Sequence, residues 1–96
     1  MKVVWTSEAR DRLLEIEAYI ASQGSPHNAE RFIQKIIQRA KILTDYPVSG
    51  RIVPEYPSGV FRELIENGYR IVYRIKSEVV EIITIYEPRR SLPIKD

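Results

Sequence analysis

Ninety-six residues, with 44% apolar and 29% charged side chains, make a single domain over residues 1–96 with one sizeable core, and no apolar run approaches the roughly 20 residues needed to span a bilayer. The lack of cysteine excludes disulfides and thiolate metal sites, and a lone histidine, His27, excludes the usual zinc sites. A net charge of +2 and a pI near 9.0 permit a nucleic-acid or acidic-protein partner without requiring either.

The opening "MKVVWTSEAR" becomes charged too soon for a signal-peptide core, so a cytoplasmic protein is expected. "KVVW", residues 2–5, is β-branched and aromatic and predicts a short first strand. Thr6 or Ser7 caps a helix over residues 7–23, with Ala9, Leu13, Ile16 and Ile20 at helical spacing and Leu14 and Tyr19 widening the stripe. Gly24 suits its C-terminal turn. Ser25 and Pro26 then open a second helix that runs to about Tyr46, where Pro47 stops it. Its apolar stripe is Ala29, Phe32, Ile33, Ile36, Ile37, Ala40 and Leu43. Its basic residues, Arg31, Lys35, Arg39 and Lys41, fall mostly off the stripe and suit a solvated face.

Residues 47–59, "PVSGRIVPEYPSG", predict a loop. Three strands follow, at about 60–65, 69–76 and 79–86. "ENGY" carries the Asn-Gly signal of a tight hairpin, and "KSE" makes the next turn. The expected fold class is α+β: a short N-terminal strand, an αα-hairpin, then a three-stranded antiparallel meander with the helices on one sheet face.

In "GYRIVYRI", residues 68–75, alternation sends Ile71, Tyr73 and Ile75 toward the helices and Arg70, Val72 and Arg74 to the other face. No second layer is evident to cover that other face. Arg70 and Arg74 are therefore expected on an open surface with Arg89 and Arg90 at its edge, unless a bulge changes the register. The alternative for Arg70 is a structural pair across the sheet with Glu63 or Glu81, and for Arg74 a structural or solvated role. Arg89 and Arg90 have a plain basic tail as theirs, Glu87 an exposed surface acid. Tyr69, Tyr73 and Tyr86 suit either core packing or stacking on bases.

The element order, "FRELIENGYRIVYRI" (residues 61–75) and "VVEIITIYEPRR" (residues 79–90) resemble the RelE/ParE superfamily of toxins from bacterial type II toxin–antitoxin systems. The resemblance implies a small cognate antitoxin as partner, no cofactor, no metal, no membrane and no small-molecule substrate. Members of the RelE type are ribosome-dependent mRNA endonucleases with two lysines before the central strand. Aligned through "GYR", those positions are Phe61 and Glu63 here. The expected tail tyrosine is Asp96, and the histidine of a related branch is Glu87, followed by Pro88. Only Arg70 and Arg90 match the nuclease pattern, and arginines hold a phosphate but do not serve as bases.

The chain therefore resembles the ParE branch more closely. ParE members share the fold, lack the nuclease residues and act on DNA gyrase. On that reading Arg62, Arg70, Arg74, Arg89 and Arg90 belong to a target- or phosphate-binding surface, with no catalysis of its own. The alternative is a RelE-like endoribonuclease acting on ribosome-bound mRNA through a depleted site of Arg70, Arg90 and Glu87. A toxin fold that has lost its toxicity is a third reading.

Overall fold

The computed structural model describes residues 1–87. Its elements are β1 (Lys2–Trp5), α1 (Ser7–Ser22), α2 (Pro26–Lys41), a 3₁₀ turn (Ile42–Thr44), β2 (Arg51–Ile52), β3 (Arg62–Glu66), β4 (Tyr69–Lys76) and β5 (Val79–Tyr86). They form one sheet in the order β1-β5-β4-β3-β2, parallel only where β1 meets β5. This is the expected α+β arrangement, with the meander β3-β4-β5 widened at both edges. The strand pair Arg51–Ile52 lies inside the segment predicted as loop, and two residues are too few to show a period.

Thr6 is the cap of α1. Its hydroxyl accepts from the Ala9 N–H at 3.1 Å, and its own proton faces the carbonyls of Ile82 and Ile83, each at 3.0 Å. One side chain thus ends β1, starts α1 and ties both to β5. Leu14 and Tyr19 do not widen the buried stripe as predicted; they are 58% and 64% exposed. The second helix ends earlier than predicted, at Lys41, and tightens into the 3₁₀ turn, which still buries Leu43. Such tightening is a common way to finish a helix.

The main core lies between the helices and one sheet face: Ala9, Leu13, Ile16, Phe32, Ile36, Ala40 and Leu43 meet Leu64, Ile71, Tyr73, Val80, Ile82 and Ile85. A bulge in β5 makes this possible. Val72 pairs with Thr84 and Tyr73 with Ile82, which leaves Ile83 as an extra residue. Strict alternation would put Ile82 and Ile85 on opposite faces; the extra residue returns both to the core and sends Ile83 to the far side. The bulge lies in β5, so Ile71 and Tyr73 keep the helix side and Arg70, Val72 and Arg74 the other. Ile75, expected against the helices, is instead 38% exposed and outside the core.

The far face is not open, which corrects the sequence-based expectation. Residues 53–61 fold over it, and Val53, Phe61 and Val72 make a second small cluster, flanked by Tyr56, Ile83 and Tyr86. Tyr56 meets Phe61 edge to face at 5.3 Å. Burial of each such side chain is worth about 1.5–3 kcal/mol, enough to fasten a loop that its prolines alone would not place.

Candidate functional site

Four charged side chains occupy the far face beside that small cluster. Glu63 exposes none of its side chain. One of its oxygens accepts from Arg70 Nε at 2.6 Å, and the other from Arg51 Nε and Nη2, each at 2.6 Å. The Arg70 fork reaches on to Glu55, with Nη1 at 2.8 Å and Nη2 at 2.6 Å from its two oxygens. Two parallel bonds of this kind are the strongest arrangement for a guanidinium and a carboxylate. The pKa of Arg70 is raised by the hydrogen bond to Glu55 first, against the opposing effect of burial, and then by Glu63. Arg70 stays charged, and only 11% of its side chain meets solvent.

Arg74 sits one step along the same face and donates to Glu81 directly across the ladder at 2.8 Å, with 35% of its side chain exposed. Arg62 does not join them. It shares the helix-side face with Leu64 and Tyr73 and donates to the Gly50 carbonyl at 2.8 Å. Gly50 is held from two directions, since its N–H donates to the Tyr73 hydroxyl at 2.9 Å. A Cβ on Gly50 would fall 2.6 Å from that oxygen and 2.8 Å from the Glu63 carbonyl, so no other residue fits. Burial pushes the Tyr73 phenol above its ordinary pKa, opposed by the Gly50 N–H and by Arg62.

Glu87 lies elsewhere. It borders a cavity of about 570 Å³ with Arg12, Glu15, Ile16, Tyr19 and Tyr69, on the helix side of the sheet. Its oxygen is 3.7 Å from Arg12 Nη2, and Arg12 also donates to the Ile85 carbonyl at 3.2 Å. Tyr69, edge to face with Phe32 at 5.0 Å, has its pKa raised by burial first and then by Glu87. Arg70 and Glu87 are thus separated by the sheet and do not converge on one point. Arg89 and Arg90 lie outside the described residues, as do Pro88 and Asp96.

The pairing of Arg70 with Glu63 was one of the two sequence alternatives. Its partners Glu55 and Arg51 were missed because both lie in the predicted loop. The available signal was composition: "RIVPEYP" places Ile52, Val53 and Tyr56 around a single acid, more apolar than a solvated loop needs. Arg12 was missed as an ordinary polar position on a helix. No group of three or more metal-ligating side chains occurs among the described residues, and no helix there is long and apolar enough to cross a membrane.

A family model described as the ParE toxin of the type II toxin–antitoxin system parDE matches residues 3–92. No curated protein matches the chain. Among solved structures, the chromosomal ParDE toxin–antitoxin system of P. aeruginosa is similar at 23% identity and a TM-score of 0.78, over 93% of this chain and 97% of that one. The RelBE2 toxin–antitoxin complex of Mycobacterium tuberculosis is similar at 20% identity and a TM-score of 0.66, over 90% of this chain and 95% of that one. At these identities the likeness is one of fold.

Proposed function

The chain belongs to the ParE toxin family of type II toxin–antitoxin systems, and from that premise we propose that it is a ParE-like toxin that binds DNA gyrase, holds it on cleaved DNA and is neutralised by a cognate antitoxin. One observation carries the choice of a binding toxin over a nuclease. The two positions that bear lysines in RelE-type nucleases are Phe61, 2% exposed and in the small cluster, and Glu63, 1% exposed and held by two arginines. Neither residue can reach a ribose hydroxyl or a phosphate, and general acid–base help is worth about 10²–10⁴-fold in rate. The separation of Glu87 from Arg70 supports the same reading.

The target face is the sheet surface around Arg74; Arg89 and Arg90, assigned to the same role by the family resemblance, lie outside the described residues. Arg70 and Glu63 hold that surface in shape from beneath, and Arg62 braces the loop at Gly50. Both similar structures come from toxin–antitoxin systems, which supports a protein antitoxin that covers the toxin and neutralises its basic surface.

The test is a supercoiling and DNA-cleavage assay with purified host gyrase, titrated with refolded, antitoxin-free protein. The expected outcome is loss of supercoiling with accumulation of cleaved DNA. No effect of folded protein at large molar excess overturns the reading. Ribosome-dependent mRNA cleavage would then point to the RelE-like alternative, and inactivity in both assays to a toxin fold that has lost its toxicity.

A further inference from the structure

The gyrase reading leaves one strongly charged surface unused, on α2. Arg31, Lys35 and Arg39 recur every fourth residue and therefore form one line along the helix, about 6 Å apart in rise. The line runs beside the buried face of Ala29, Phe32, Ile36 and Ala40, not within it. Arg31 and Lys35 are exposed, and Arg39 keeps 32% of its side chain in solvent. Two shallow depressions of about 360 and 370 Å³ follow the line toward the β3-β4 turn and meet at Lys35. Among the described residues lining them, the neutral amides Asn28, Gln38 and Asn67 add hydrogen-bond donors, and Glu66 is the only anion. Its oxygen is 4.0 Å from Arg39 Nε, a long and partly exposed pair that holds the arginine weakly.

We infer that this line is a docking surface for the phosphodiester backbone of duplex DNA. A straight row of cations at one-turn spacing matches the separation of neighbouring phosphates along a strand, and amide donors between them suit phosphate oxygens. The depressions are shallow, and Ile20, Phe32, Ile42 and Tyr69 share their lining with the cations and amides, so they lack the deep, enclosed sockets in which an acidic peptide anchors its aromatic or aliphatic side chains. A backbone contact needs no such socket and carries no sequence preference. The inference requires no gyrase and stands or falls separately from the reading above. If both hold, the toxin grips the DNA beside the enzyme it traps.

The test is fluorescence anisotropy of a labelled mixed-sequence duplex with the refolded full chain. Three phosphate contacts predict a salt slope of about −2.7, or about 40-fold weaker binding between about 50 and about 200 mM salt. The triple variant Arg31→Gln/Lys35→Gln/Arg39→Gln should lose about tenfold or more in affinity at the lower salt. Lys2→Gln/Arg10→Gln/Lys76→Gln removes the same charge elsewhere and should lose less than about threefold. Should the first triple lose its circular dichroism signal, the single variant Lys35→Gln replaces it and should reduce the salt slope by about one. Equal losses in the two triples, an unchanged slope in Lys35→Gln, no duplex binding at the lower salt, or displacement of the duplex by a glutamate-rich peptide of equal charge would each overturn the inference.

Discussion

The Glu63 carboxylate is fully withdrawn from solvent and accepts hydrogen bonds from Arg51 on one oxygen and from Arg70 on the other. A buried charge is tolerable only while its partners remain, and breaking such a pair from one side costs about 3–5 kcal/mol. Glu63→Ala should therefore lower Tm by more than about 10 °C, measured by thermal denaturation. Arg70→Ala leaves the buried Glu63 carboxylate with Arg51 on one oxygen and nothing in place of Arg70 on the other, so any loss of toxicity in that variant has to be compared with its stability. The phenols of Tyr69 and Tyr73 act in the alkaline range. Both have folded pKa values raised above 10.0, so the unfolded chain releases these protons first. Their contribution is intact below about pH 10 and is lost as pH rises beyond it. Chemical denaturation between pH 9 and pH 11 should show that fall, with a shallower slope in Tyr73→Phe.

Among the elements, the two hairpins of the meander use the same turn with different chemistry. Asn67 and Gly68 have φ of 52° and 83°, and Ser77 and Glu78 have 52° and 61°. Both pairs occupy the left-handed region that a two-residue turn of this hand requires, and Asn-Gly is the pair that adopts it readily. Glu78 pays a steric penalty that glycine avoids. Glu78→Gly should raise stability by about 1 kcal/mol, seen as a Tm increase of roughly 4–8 °C; an unchanged or lower Tm counts against strain at this turn. The loop of residues 53–61 is the opposite case. Its own sequence does not make it a layer; the small cluster and the Glu55 carboxylate fasten it to the sheet.

For the molecule as a whole, the sheet has one face given to the helical core and another divided between a small apolar cap and paired charges. On the proposed gyrase reading, binding by that second face rests on charges near its surface, not on the ones sealed within it. Arg74→Ala should leave Tm within a few degrees, because its pair with Glu81 is partly exposed. It should also weaken gyrase inhibition about tenfold, since arginine is among the residues that dominate interfaces. Undiminished inhibition by folded Arg74→Ala protein would remove this residue from the target face.

Sequence alone determined the order of elements apart from β2, the αα-hairpin, the Asn-Gly turn and the inward side of Ile71 and Tyr73 on β4. These depend on spacing, caps and turn residues within a few positions of one another. It also carried the family resemblance, and with it the loss of lysine at positions 61 and 63. Only the tertiary structure decided that β1 runs parallel beside β5, that Ile83 bulges, and that Glu55 and Arg51 close on Arg70 and Glu63. Each of these joins residues far apart in the chain or inserts one residue into a ladder. Alternation along a strand says which side a residue faces, but the loop that comes to cover that side is chosen by the packed molecule.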